Sequence, residues 1–213
     1  MKKLFLLLFL SILFYPVLRG QSLKIGGGPG LSTGFPFYNY SESFNKSGIA
    51  NIVLKGVYNT GKPLSFSPSF TFFIPHKSSL TLPLEQRKIT INGFMFDFNG
   101  HYAFLSSERL ELYGLTGFDI FLTSKKEVIK YDTDPVTHAI STYTSKINDN
   151  ALGFNAGAGF SLKITEKMDF YAEARYLLFT KFKLFFSSYN QALVNAGLLF
   201  RMNIQKNTQT TAN

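Results

Sequence analysis

Leu64-Ser65-Phe66-Ser67-Pro68-Ser69-Phe70-Thr71-Phe72-Phe73-Ile74 decides the fold class. Leu64, Phe66, Phe70, Phe72 and Ile74 share one face with Pro68, and Ser65, Ser67, Ser69 and Thr71 share the other. A period of two over this length is a strand. The polar side carries Ser and Thr, where a water-washed outer surface would carry many Lys and Glu. The apolar side is bulky and aromatic, and repeated around a small ring it would overfill the interior. Lipid sets no volume limit. The segment therefore reads inside-out, with apolar residues toward lipid and polar residues toward a lumen.

The same alternation recurs along the chain. Before Leu64 it runs through Leu23–Leu31 and Ala50–Tyr58. After Ile74 it runs through Ile89–Phe104, Leu110–Leu122, Gly153–Ile164, Asp169–Phe179 and Ala192–Met202. Ile89 and Ile91 have the opposite parity to Phe94, Phe96 and Phe98, so a bulge is expected near Asn92-Gly93. The connections are residues 32–49, 59–63, 75–88, 105–109, 123–152, 165–168 and 180–191, and long alternates with short throughout. Outer-membrane barrels have long outer loops and short periplasmic turns. The expected fold is an all-β, eight-stranded, antiparallel up-and-down transmembrane β-barrel, apolar face outward, with a polar lumen. An even strand count places both termini in the periplasm.

The N-terminus agrees with export. Lys2 and Lys3 precede an apolar run from Leu4 to Leu18 broken only by Ser11, and Pro16 and Gly20 then interrupt the pattern. This is the plan of a signal peptide over residues 1–20, with cleavage after Gly20 or Ser22. The barrel then occupies 22–203, and 204–213 form a short polar tail. The chain of 213 residues has 22 Lys+Arg against 13 Asp+Glu. Losing Lys2, Lys3 and Arg19 leaves 19 against 13, a balance of +6. With no basic helix or RNP-like motif, this charge points to anionic lipid headgroups or lipopolysaccharide, not to nucleic acid.

Chemistry-bearing patterns are sparse. Cysteine is absent, which excludes disulfide scaffolds, thiolate metal sites and cysteine nucleophiles. His76, His101 and His138 form no metal-ligand spacing, so neither a metal nor a cofactor is expected. Gly26-Gly27-Gly28-Pro29-Gly30 lacks phosphate-loop spacing and reads as a close-packed, curved strand. Asp132-Thr133-Asp134 lacks the glycine and closing glutamate of a calcium loop and reads as a hairpin tip. The informative set is charged. Lys55, Asp97, Glu111, Asp119, Lys163, Glu173, Arg175 and Arg201 all take lumen-facing parity, four acids and four bases. Such charges must pair, so they are expected to form a polar network that closes the lumen. Lys163 and Arg201, on the strands flanking Glu173, are its expected partners, and His101 reads as a lumen histidine beside a carboxylate.

From Gly157-Ala158-Gly159-Phe160 through Leu162-Lys163-Ile164-Thr165-Glu166-Lys167-Met168-Asp169-Phe170 to Glu173-Ala174-Arg175-Tyr176, the chain resembles a hairpin of the outer membrane barrels related to the OmpA transmembrane domain and the OmpX and opacity-type proteins. Asn195-Ala196-Gly197-Leu198-Leu199-Phe200-Arg201-Met202 is similar to their last strand. Met202 stands where many members end on an aromatic residue. The tail is too short for a peptidoglycan-binding domain. The resemblance implies residence in the outer membrane of a Gram-negative bacterium, as a monomer. It implies outer membrane lipids and lipopolysaccharide as neighbours, and periplasmic chaperones and barrel-assembly machinery during biogenesis. An extracellular ligand at the outer loops is a further expectation. Lipid A deacylases share this architecture, but His138 and Ser141, near Asp132 and Thr142, lack their His-x-Ser spacing. His76 and Ser78 have that spacing in the wrong strand. The expected role is therefore non-enzymatic, structural or surface-interactive. A small pore or transporter is the alternative, and a lipid A-modifying enzyme a more distant one.

Overall fold

The computed structural model describes residues 22–33, 48–61, 63–82, 84–134, 139–181 and 184–202. The expected signal peptide, the C-terminal tail and His138 lie outside them. Eight strands follow one another: β1 (Leu23–Ser32), β2 (Ile49–Gly61), β3 (Leu64–Leu82), β4 (Glu85–Ser106), β5 (Leu110–Asp134), β6 (Ala139–Lys163), β7 (Met168–Lys181) and β8 (Leu184–Met202). Each pairs antiparallel with the next, and β1 pairs with β8 from Leu23↔Met202 to Ser32↔Leu193. The sheet closes on itself. Closure leaves no unpaired edge in the ring, the condition for strands to cross a bilayer.

The outward face carries the apolar residues. Leu54, Phe66, Phe70, Phe96, Phe118, Phe154, Leu178 and Phe200 are exposed, while Lys55, Ser67, Asp97, Asp119, Asn155 and Glu173 are buried inside. Outward rings stack laterally along the band. Phe66–Phe98 and Phe98–Phe118 centroids lie 6.0 and 5.7 Å apart. On β4 the outward apolar run from Phe94 to Phe104 spans about 24 Å once strand rise and tilt are taken together, close to the height of a lipid band.

The first strand explains its glycines. A Cβ on Gly28 would lie 2.0 Å from the Ala196 carbonyl oxygen of β8. The Gly26–Gly30 run is thus the close backbone approach at the closure seam, and no phosphate loop forms.

Two connections and the expected bulge differ from the sequence reading. Residues 75–82 and 85–88, expected as loop, are strand: β3 and β4 stay paired out to Leu82↔Glu85. Residues 180–181 and 184–191 are likewise strand, with β7 reaching Lys181 and β8 starting at Leu184. The irregularity expected at Asn92-Gly93 lies instead on β3. Phe73 pairs Gly93 and His76 pairs Ile91, so Ile74 and Pro75 together oppose Asn92. Pro75 has no N–H to give the ladder, which makes it the natural site of the extra residue. β4 keeps its parity, and Ile89 and Ile91 point inward with Met95 and Asp97.

β5 and β6 pair out to Asp134↔Ala139, and β4 follows β5 out to Glu85↔Tyr131. By contrast β6 leaves β7 at Ala151↔Lys181, and β2 leaves β3 at Asn51↔Phe73. The outer parts of β3, β4, β5 and β6 therefore rise above the ring as a four-stranded wing on one side.

Candidate functional site: the filled lumen

β7 shows how the lumen is organised. Its inward residues are Asp169, Tyr171, Glu173, Arg175, Leu177 and Phe179, all buried. Read from the short-turn end upward, this row passes through three levels: an acid, a polar centre, and an apolar plug.

At the short-turn end Asp169 holds two bases. Lys24 Nζ lies 2.7 Å from Oδ2 and Arg201 Nη2 donates to Oδ1 at 2.8 Å. The three residues sit on β1, β7 and β8, which clamps the closure seam.

The centre is built around Glu173. Lys55 of β2 forms an ion pair with its Oε1. Tyr113 of β5 donates its hydroxyl to the same oxygen at 2.8 Å. His101 Nε2 stands 3.9 Å away, its ring stacked on Tyr113 at 4.6 Å. Lys55 Nζ also lies 4.8 Å from the centroid of the Tyr171 ring. Gly159 makes room for this arrangement, since a Cβ there would meet Glu173 Cγ at 2.7 Å and Tyr113 Cε2 at 2.9 Å. One step higher, Arg175 Nη1 lies 3.2 Å from Asp97 Oδ1. Ser69 donates to Asp97 Oδ2 at 2.8 Å, and Asn155 donates to Asp119 Oδ1 at 2.7 Å. Asp97 and Asp119 are direct cross-strand partners. These contacts tie β7 to β2, β4 and β5 across the ring.

Above the charges lies a plug. Phe73, Met95, Phe121, Ala151, Leu177, Phe179 and Leu193 are buried together with Ile49. Phe121 makes edge contact with Phe73 at 5.1 Å and a tilted contact with Phe179 at 5.4 Å. Apolar side chains therefore fill the hairpin end of the interior. Beyond the plug, the inner face of the wing carries another charge group. Glu127 contacts Lys125 at 2.8 Å and Arg87 at 3.4 Å, and Arg87 reaches Glu85 at 3.0 Å.

Of the eight charges read from the sequence, Lys55, Glu173, Arg175, Asp97 and Asp119 meet in the central level. Arg201 joins the lower one. Glu111 and Lys163 are half-buried and meet no opposite charge among the described residues. Glu173 is not bracketed by Lys163 and Arg201, as adjacency suggested. Its base is Lys55, reached across the lumen, and Arg201 goes to Asp169. The sequence reading missed Lys24, Asp169 and the plug. Asp169 shares the parity of Glu173, so it was within reach of the same rule.

The deacylase-like pair gains no catalytic geometry. His76 and Ser78 lie at successive inward positions of the wing, opposite Ile91 and Ile89. Ser141 is exposed on β6. Among the described residues no group of three His, Asp or Glu is placed to hold a metal ion.

The family model for the outer membrane protein beta-barrel domain matches residues 5–201. The chain belongs to this family. It is an outer membrane β-barrel. Ail, the attachment invasion locus protein of Yersinia pestis, solved with the heparin analogue sucrose octasulfate, is 13% identical. That match covers 85% of this chain and 97% of Ail, with TM-score 0.49. The N-terminal barrel of Pseudomonas aeruginosa OprF is also 13% identical, covering 85% and 97%, with TM-score 0.44. Neisserial surface protein A is 15% identical, covering 86% and 98%, with TM-score 0.40. No curated protein matches the chain.

Proposed function

We propose that this outer membrane barrel is a closed, non-enzymatic envelope protein. Its ring serves as a stable support, and its wing and long hairpins serve as the surface presented outside the cell. The observation that carries this reading is the double filling of the lumen. A polar solute would have to break the Lys55–Glu173 and Arg175–Asp97 pairs and then pass the Phe73–Phe121–Phe179 plug. Both obstacles are costly, the first because a separated charge stays buried. The test is conductance in planar bilayers. The wild-type barrel is expected to give no steps, and reproducible single-channel openings would replace this reading with the pore.

The proposed orientation puts the wing outside and both chain termini in the periplasm, as export of the N-terminus and assembly by periplasmic machinery require. Short turns at 107–109 and 164–167 then face inward. The absence of cysteine makes a clean test available, because any introduced thiol is unique. A membrane-impermeant maleimide added to intact cells should label Ser141→Cys and spare Ser107→Cys. The reverse pattern would invert the barrel.

A further inference from the structure

The wing has two unlike faces. Its inner face carries Ile89, Ile91 and Ile129 with the Arg87–Glu127–Lys125 group. Its outer face continues the lipid-facing parity of β3–β6 and carries Lys77, Lys88, Lys126, Lys130 and Lys146, all exposed. Asp132 shares that parity beyond Lys130 at the hairpin tip; along the rest of the face no acid does among the described residues, and Lys77, Lys88, Lys126 and Lys146 have no carboxylate partner among them. Four positions form one row across four strands. Lys77 pairs Thr90, Thr90 pairs Lys126, and Lys126 pairs Lys146. Lys88 lies two residues above Thr90 on the same side.

Like charges directly opposite one another destabilise a sheet unless an anion lies between them. Depth tells which anion. The lipid band on β4 ends at Phe94, beside Leu122 of β5. Thr90 and Lys126 stand four residues higher, about 9 Å along the membrane normal for a tilted strand. That is just above the headgroups, which add roughly 5–8 Å to each side of the hydrocarbon, and a long lysine side chain reaches down into them. Between the two levels lies an outward-facing hollow of about 480 Å³. Asn92, Ser124, Asn148 and Asn150 line its polar part and Phe94 and Leu122 its apolar part. The lining of the hollow offers no base, which leaves the lysine row above as the phosphate's place.

We propose that the outer face of the wing is a binding site for a phosphorylated glycolipid of the outer leaflet. Lys77, Lys88, Lys126 and Lys146 hold its phosphates, and the Asn-lined hollow takes the sugar-to-acyl junction. The site rests on the orientation proposed above. The measurement below is made in detergent and does not depend on that orientation, so the two can fail separately.

The probe is bis-phosphorylated lipid A, compared with the same lipid after removal of both phosphates. Affinity is read by native mass spectrometry of the refolded full-length protein. Wild type is expected to retain the phosphorylated form selectively. Lys88→Gln/Lys126→Gln/Lys146→Gln should weaken retention about a hundredfold, and Lys126→Gln alone about fivefold, from roughly 1 kcal/mol per lysine at an anionic lipid surface. Heat-modifiable gel mobility confirms that each variant is folded, and the single variant decides the matter if the triple one fails to fold. Equal retention of both lipids by wild type, or equal affinity in the variants, would overturn the proposal. So would displacement of lipid A by inorganic phosphate or a sulfated polysaccharide at matched charge, which would make the face a general polyanion surface.

Discussion

Glu173→Ala is expected to lower the unfolding free energy of the barrel by about 3–5 kcal/mol, the range for removing one partner of a buried pair. The carboxylate serves three neighbours at once. Its removal leaves the Lys55 ammonium, 4% exposed, with no anion in contact, and it takes the hydrogen-bond acceptor from Tyr113. It also frees β2 and β5 from their shared tie to β7. Glu166→Ala, in the exposed turn before β7, should stay within about 0.5 kcal/mol of wild type. Urea unfolding in lipid vesicles measures both, followed by fluorescence of the 11 tyrosines because tryptophan is absent. Glu173→Gln separates the two losses, since it can still accept from Tyr113 but no longer balances Lys55. If Glu173→Ala unfolds at the wild-type midpoint, Lys55 is being solvated in the lumen. The polar centre would then be a hydrated path, and the closed-barrel reading would fall with it.

The ring was legible because lipid and lumen impose opposite chemistry on alternate residues. Wherever a strand crosses the bilayer, one rule sorts its side chains, and Leu64–Phe72 or Gly153–Lys163 obeys it residue by residue. Above the band the rule lapses. On the wing both faces meet water or polar groups, so Lys77-Ser78-Ser79 and Gln86-Arg87-Lys88 show no apolar alternation, and residues 75–88 read as a loop. Hydrogen bonding across the ladder, not hydrophobic contrast, holds them as strand. The misplaced bulge has a related cause. Ile89 and Ile91 seemed out of phase only because apolar residues were assigned outward everywhere. Near the hairpin end the interior itself turns apolar.

The central charges were legible as a set but not as pairs. Parity gives the face a side chain occupies. It does not give height in the lumen or position around the ring. Adjacent strands seemed the natural partners of Glu173, yet an eight-stranded ring is narrow enough for long side chains to meet across it. Lys55 and Glu173 are separated by β1 and β8 in the ring order. The plug was hidden more deeply. Phe73 follows Phe72, and Leu177 and Phe179 sit in the run Leu177-Leu178-Phe179, where both faces are apolar. Such runs look like broken alternation, and nothing in a period-two count tells an inward Phe from an outward one.

That distinction has a thermodynamic consequence. Phe121→Ala is expected to cost about 3–5 kcal/mol, the range for emptying a phenyl site in a packed core. Phe121 is fully buried against Phe73 and Phe179, in a cluster closed by Met95, Leu177 and Leu193. Neighbours on a hydrogen-bonded ring cannot collapse inward to fill the space, so the cavity contribution, about 24 cal/mol per Å³, is felt almost in full. Phe96→Ala makes the matched comparison. Phe96 is 52% exposed on the outward face, where lipid chains can close over the truncated site and leave no void. Its loss is the transfer contribution alone, about 1.5–3 kcal/mol at most. The two variants remove the same atoms from strands β5 and β4, so the gap between their urea midpoints in vesicles isolates the plug. A Phe121→Ala barrel as stable as Phe96→Ala would mean that the upper lumen already admits water or lipid and that Phe73, Phe121 and Phe179 seal nothing.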